Sequence, residues 1–301
     1  MCPRRLMPVL LVSAALLTGC DRADPAPPVA GALTPAPTAP AETLPSAPGA
    51  DTLQAEAIAP VSTGPHLPPA GRVGWMWLRP GEQLGLDQLP DDVTLIGLDG
   101  LSTKPAQVAA LKERGIYTIC RLNLTTFDSQ SPDADLFTPQ MRRSGAGLDL
   151  GQATRPGSAL GVLLTRRLGA CVVRGFDAVD PGDLGGAGRT EDARARQQRL
   201  NFAGWLADQA HAAGLAILQH GALSDQGQRD EHGRVLADIF DGALSKNCQA
   251  EESCGALIAY VNRGKLALDL AAPGTGLDCQ SAERLGINQL GAGSSVVRRC
   301  D

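Results

Sequence analysis

Carboxylates set just behind short apolar runs are the residues of this chain best suited to chemistry. The segment Gly175-Phe176-Asp177-Ala178-Val179-Asp180-Pro181-Gly182-Asp183 reads as a buried strand that ends in acidic residues. Asp180 and Asp183 follow Ala178-Val179, Asp99 follows Ile96-Gly97-Leu98, and Asp269 sits within Leu268-Asp269-Leu270. His220 follows Leu218-Gln219 in the same way, and Asp241 falls early in its own run. Two carboxyl groups flanking a glycosidic bond can divide the work, one protonating the leaving oxygen and the other attacking or activating water. A strand-end imidazole can contact a hydroxyl or a carboxylate. A lone strand-end aspartate more often caps the next helix or closes an Asx-turn, so it is the convergence of several that points to a site.

These residues converge only if the runs join one sheet. Short apolar runs recur at 73–78, 93–98, 117–122, 176–179, 215–219, 239–244, 266–270 and 286–290. Helical patterns lie between them, among them 105–114, with Ser102 or Thr103 as its expected cap, and 191–213, which stops at Gly214. Strands alternating with helices predict an α/β fold, a (β/α)8 barrel of the TIM type, as a single domain over 72–301. In such a barrel chemistry gathers where the strands end, at the C-terminal face. Gly147-Leu148-Asp149-Leu150 reads equally as a further strand or as a loop.

The N-terminal stretch has a different character. Arg4 and Arg5 precede an apolar run over 6–17, and Leu17-Thr18-Gly19-Cys20 has the form of a lipoprotein signal-peptidase box. That run is shorter than the roughly 20 residues a permanent span needs, so cleavage of residues 1–19 and acylation of Cys20 are expected. Residues 20–71 are then an acylated cysteine and a Pro/Ala-rich linker, too poor in apolar surface to fold and expected to be a disordered tether. At about 3.1 Å per residue in extended Pro-rich chain, it would reach roughly 150 Å from a membrane. The expected location is the cell envelope, with the domain in the periplasm or outside the cell.

A net charge of −5 and the absence of a Lys/Arg stripe argue against a nucleic-acid partner. Beyond Cys2 and Cys20, six cysteines remain for an oxidising compartment: Cys120, Cys171, Cys248, Cys254, Cys279 and Cys300. The last four sit in loop-like sequence, and Cys279 and Cys300 form one expected pair. Cys120 and Cys171 lie in apolar contexts and are expected as buried free thiols. No Cys-x-x-Cys and no histidine at ligand spacing supports a zinc site, so neither metal nor cofactor is called for. His66 and His232 are expected to be solvated, and His211 to satisfy the end of its own helix or a neighbour.

The chain after about residue 72 resembles glycoside hydrolase family 114, the endo-α-1,4-polygalactosaminidases. The family run Gly-Phe-Asp-Gly-Val-Glu-Pro-Asp-Asn corresponds to Gly175–Asp183. Asn201, Trp205-Leu206-Ala207, Ala210-His211 and Gly214-Leu215 match Asn-x-x-x-Trp-Leu-Ala-x-x-Ala-His-x-x-Gly-Leu, the most specific correspondence. Ser131-Pro132-Asp133-Ala134 resembles Arg-Pro-Asp-Ala, and Leu148-Asp149-Leu150 resembles Trp-Leu-Asp-Ile. Leu218-Gln219-His220-Gly221 stands at Leu-Lys-Asn-Asp, and Phe240–Cys248 at Phe-Asp-Phe-Ala-x-Asn-Glu-Gln-Cys. The resemblance implies a Cys248–Cys254 disulfide, since the family has a similarly spaced pair in a loop after a strand.

The resemblance also implies a catalytic aspartate where this chain has Gly182 and a glutamate where it has Lys246. Asp180, Asp183 and Asp269 are the carboxylates left to act as catalytic groups, with Asp99, Asp149, His220 and Trp77 as substrate contacts. Aromatics are only 3% of the chain, and of Trp75 and Trp77 one ring is expected inside the barrel. Two functions follow as expectations. One is hydrolysis or binding of α-1,4-linked galactosamine-type polysaccharide by an envelope lipoprotein; the other is a catalytically inactive glycan- or partner-binding barrel.

Overall fold

A computed structural model describes residues 64–78, 82, 85–143, 145–185, 192–272 and 279–291. Eight strands lie in chain order in one parallel sheet: β1 Trp75–Trp77, β2 Leu95–Asp99, β3 Tyr117–Arg121, β4 Ala178–Asp180, β5 Ala216–His220, β6 Gly242–Lys246, β7 Leu266–Ala271 and β8 Asn288–Gly291. The helices between them are α1 Pro105–Glu113, α2 Leu150–Ala153, α3 Ala159–Arg174, α4 Ala193–Ala212, α5 Leu236–Ile239, α6 Cys254–Val261 and α7 Cys279–Leu285. This is the (β/α)8 order the apolar runs imply. The seam between β8 and β1 is bridged by Asn288, whose Oδ1 accepts from the Val73 N–H at 2.9 Å while its Nδ2 donates to the Gly71 carbonyl at 2.8 Å.

Alternation along each strand sorts side chains into two cores. Trp75, Leu95, Tyr117, Ile119, Ala178, Ala216, Leu218, Leu244, Leu266, Leu268 and Leu290 fill the barrel interior. The small Ala178 and Ala216 of β4 and β5 leave room for the bulky Trp75 and Tyr117, as close packing requires. The residues between these, among them Met76, Ile96, Cys120, Val179, Ile217 and Ala243, pack outward against the helices. Parity also settles the first strand. Trp75 and Trp77 are two residues apart and so share a face; both rings belong to the interior, 5.9 Å apart edge to face, where the expectation was for one. Gly97 makes this packing feasible, because a Cβ there would stand 2.2 Å from the Trp77 ring.

Helix ends follow local chemistry. Ser158 caps α3 by accepting from the Gly161 N–H at 2.9 Å, and Gly175 closes it in the left-handed region at φ 84°. Asp192 caps α4 by accepting from the Ala195 N–H at 2.7 Å. For α1 the cap position is Lys104, not Ser102 or Thr103, because Pro105 has no N–H to lose at the first helical position. The stretch 147–150 is neither a strand nor a plain loop: Asp149 is the N-cap of the short α2, accepting from the Gln152 N–H at 3.3 Å.

The cysteines correct one expectation and support another. Cys120 on β3 and Cys171 on α3 are not free thiols but a disulfide, with Cα atoms 5.9 Å apart. Cys120 faces outward from the sheet and Cys171 lies on the buried stripe Leu160-Leu164-Leu168 of the helix covering it, so two apolar contexts meet. Cys248 and Cys254 are bonded as the resemblance implies. Cys279 is disulfide-bonded, and Cys300 lies outside the described residues. Cys20 and the rest of 1–63 also lie outside them.

Residues 64–71 lie against the N-terminal end of the barrel. Tyr117 donates its hydroxyl to the His66 carbonyl at 2.6 Å, and His66 Nδ1 lies 3.1 Å from Asp177. His66 is thus bonded to the barrel rather than merely solvated, although its ring remains mostly exposed. His211 pairs with Asp241 at 2.8 Å.

Candidate functional site

At the C-terminal face an open cleft of about 670 Å³ is lined by residues that follow or end β2 to β6. Asp99, Arg121, Asp180, His220 and Lys246 occupy inward-facing positions at the ends of β2, β3, β4, β5 and β6. Their common direction follows from parity: each lies two or four residues beyond an interior residue of its strand, as Asp180 does beyond Ala178 and His220 beyond Leu218.

Charges alternate across this row. Asp99 is in register with Arg121, and Arg121 with Asp180. Asp180 in turn accepts from Nδ1 of His220 at 2.8 Å, with both side chains almost wholly buried. Burial by itself would raise the Asp180 pKa. The His220 ring, the Gly182 N–H that donates to the same Oδ1 at 3.0 Å and the Arg121 guanidinium outweigh it and hold Asp180 below its ordinary value. Burial lowers the Arg121 pKa, opposed by Asp180 and Asp99. Arg121 donates through Nη1 to the Leu78 carbonyl and lies over the Trp77 ring, 5.0 Å from its centroid. Lys246, beyond this row, is exposed.

The carboxylates expected to act together do not share one place. Asp180 faces the cleft floor. Asp183 lines the rim, where its Oδ1 accepts from the Gly185 N–H at 2.8 Å in an Asx-turn. Asp269 lies outside the cleft on the opposite face of β7, fully buried. Its oxygens accept from the Cys248 N–H at 2.8 Å and Gln289 Nε2 at 2.9 Å, and burial outweighs these bonds to raise its pKa. It therefore organises the disulfide loop after β6.

The expected substrate contacts divide in the same way. Asp99 lines the cleft, although its Oδ1 is occupied by the Leu101 N–H at 3.0 Å, the Ser102 N–H at 2.7 Å and the Ser102 hydroxyl at 2.7 Å. His220 lines the floor. Asp149 is a helix cap paired with Arg143 at 3.2 Å and is not among the lining residues. Trp77 is half-buried, with Gly97 against its ring and Arg121 over it, and is not among the lining residues.

Sequence reasoning passed over Arg121, which stands in register between Asp99 and Asp180. The strand-end rule applied to Ile119-Cys120 points to it, but a search for acids does not. Gly182 adopts φ 84°, and a Cβ there would lie 3.1 Å from the Leu122 carbonyl oxygen. Among the described residues no group of three or more His, Cys, Asp and Glu is placed to hold a metal ion.

Known structures share this architecture. Ega3 of Aspergillus fumigatus, solved in complex with galactosamine, superposes with a TM-score of 0.60 at 16% identity, covering 79% of this chain and 99% of that one. A variant of the glycoside hydrolase domain of PelA from Pseudomonas aeruginosa gives a TM-score of 0.53 at 17% identity, covering 74% and 94%. Among curated proteins no significant match is found. At these identities the superpositions speak for the fold, and sequence speaks for the family. The model of glycoside-hydrolase family GH114 matches residues 56–271, well over half of the chain, and with the barrel, the strand-end cleft and the Gly175–Asp183 segment all in place, this chain belongs to that family.

Proposed function

We infer that the protein is an envelope lipoprotein whose barrel binds a galactosamine-type polysaccharide in the C-terminal cleft without cleaving it by two-carboxylate chemistry. One observation carries this reading. Of Asp180, Asp183 and Asp269, only Asp180 faces the cleft floor, and it is committed to His220 and to the Gly182 N–H. A carboxylate whose pKa is held down by a buried pair is a poor proton donor, and Asp269 lies on the wrong face of the sheet to assist. Binding to a galactosamine-type polymer is supported by family membership and by the galactosamine-bound Ega3 structure of the same fold. Anchoring through acylated Cys20 belongs to the same reading and rests on Leu17-Thr18-Gly19-Cys20.

Hydrolysis is a second reading, favoured by one feature. Asp99 and Asp180 flank Arg121 in register, which sets their Cα atoms roughly 10 Å apart at the usual strand spacing, and inverting glycosidases place carboxyl groups about 6.5–9.5 Å apart. The test is incubation with α-1,4-linked galactosamine polymer of mixed acetylation, following co-sedimentation and new reducing ends together. Retention of polymer with no reducing ends is expected. Fragment release that Asp180→Asn abolishes would establish hydrolysis instead.

A further inference from the structure

The formal charges lining the cleft stand near balance, and one of them can change. Asp99, Asp128, Asp180 and Asp183 supply four carboxylates, and Arg121, Arg167 and Lys246 supply three permanent cations. His220 is the eighth ionisable residue of the lining. With its ring protonated the lining is neutral, and with its ring neutral the lining carries one net negative charge. Asp99, Asp128 and Asp183 each accept an N–H of their own turn through one oxygen and keep their charge.

His220 is placed so that its charge can change without breaking its own contact. Nδ1 donates to Asp180 on β4 at 2.8 Å, both side chains are almost wholly buried, and Nε2 has no bond among the described residues. Because Nδ1 is committed to a carboxylate, the proton that the ring gains or loses is the one on Nε2. The protonated ring neutralises Asp180 and helps to hold it ionised. The neutral ring leaves the Asp180 charge in place on the cleft floor.

The other charged groups around the ring are fixed. Arg121 on β3 is in register with Asp180, Asp183 follows β4, and Lys246 lies on β6 two residues beyond the register partner of His220. Behind the lining, Arg167 meets Asp133 at 2.7 Å, and Asp225 after β5 meets Arg196 and Arg199. None of these is a side chain that ordinarily titrates between pH 5 and 8, whereas an imidazole is. A unit charge is felt over about 8 Å at physiological ionic strength, so a ligand ammonium need not touch the ring to respond to it.

We propose that His220 is a charge switch of the cleft: its protonation weakens, and its deprotonation strengthens, the hold on a polymer bearing protonated amines. The proposal rests on the glycan-binding reading above and adds the regulation of that same site. The test is calorimetric titration of the whole chain with fully deacetylated α-1,4-linked galactosamine oligomers between about pH 5 and 6.5, where an ordinary imidazole begins to lose its proton. About fivefold tighter binding at the upper end is expected, with proton release on binding. Loss of ammonium charge from the oligomers as pH rises acts in the opposite sense and does not imitate this result. Fully acetylated oligomers, which carry no charge, should bind with little change over the range. His220→Gln, which keeps a donor for Asp180 without a titrating ring, should level the response to the deacetylated set. Proton NMR of the His220 ring in the wild-type chain gives a readout that needs no variant: by reciprocity, the deacetylated oligomers should move its titration midpoint to lower pH. Wild-type binding indifferent to pH, an equal response in His220→Gln or with acetylated oligomers, or a midpoint unmoved by the ligand would overturn the switch alone. Failure of both oligomer sets to bind anywhere in the range would overturn the glycan reading, and the switch with it.

Discussion

At the scale of single residues, the site is governed by how each charge is compensated. Asp180 is buried and stays ionised because His220, the Gly182 N–H and Arg121 together outweigh desolvation. Gly182 belongs to that arrangement through its backbone: its N–H binds Asp180, and its φ of 84° turns the chain away from the floor. An L side chain in this region is strained by roughly 1–2 kcal/mol, and here its Cβ would press on the Leu122 carbonyl. Gly182→Asp is therefore expected to destabilise the protein by about 1–2 kcal/mol in urea unfolding and to leave polymer cleavage absent, since Lys246 still lines the cleft in place of a second carboxylate. A variant of unchanged stability that cleaved polymer would show the backbone to be permissive and the lost side chain to be the whole of the deficit.

At the scale of elements, two kinds of fastener hold helices and loops in place. The Cys120–Cys171 disulfide ties β3 to α3 across 51 residues, and the Cys248–Cys254 disulfide closes only 6. Loop-closure entropy assigns about 4 kcal/mol to the first and about 2 kcal/mol to the second. The other fastener is ionic. Arg167 of α3, nearly fully buried, donates to both oxygens of Asp133 at 2.9 and 2.7 Å and to the Asn123 carbonyl, pinning the long connection after β3 to the helix. That bond to Arg167 lowers the Asp133 pKa from 3.8 to about 2. A carboxyl depressed on folding stabilises fully above its unfolded pKa and loses the effect as pH falls through the folded one. Asp133→Asn should thus cost about 2 kcal/mol at pH 7 and little near pH 2, read from urea midpoints between pH 2 and 7. An equal cost at both ends would mean that the side chain acts through shape rather than charge.

At the scale of the molecule, a barrel with an open cleft at the C-terminal ends of its strands follows, in the chain, a segment of very different composition. No helix among the described residues is long and apolar enough to cross a membrane; the proposed reading places membrane attachment at Cys20 on the ground of Leu17-Thr18-Gly19-Cys20. Cys20→Ser is expected to move the protein from the detergent phase to the aqueous phase in a detergent partition of expressing cells, with glycan binding unchanged. Partition unaffected by the substitution would remove the lipid anchor from the functional account. A domain tethered at one point needs no large interface to remain near its polymer, because tethering raises its effective concentration there.

Much of this was legible in the chain. The apolar runs place all eight strands within a few residues, since barrel strands are short, buried and separated by helical periodicity. The family resemblance rests on packing positions, and those are what the fold uses: Trp205 stacks on Phe202 at 5.7 Å, and Gly175 ends α3. Strand-end position also brought Asp99, Asp180 and His220 to notice, because parity and the C-terminal face are properties of sequence order.

What each polar group does was decided by tertiary contact. Asp180, Asp183 and Asp269 read alike as strand-end acids, yet one lies beneath an imidazole, one closes a turn, and one sits behind the sheet beneath the Cys248 loop. Pairing partners come from other strands, 40 residues away for His220 and Asp180 and 51 for Cys120 and Cys171. Sequence by itself determined the barrel and which positions turn toward its mouth, because apolar periodicity is local. Only the tertiary structure decided which charges meet and which remain open to a ligand, because electrostatics acts across strands brought together by folding.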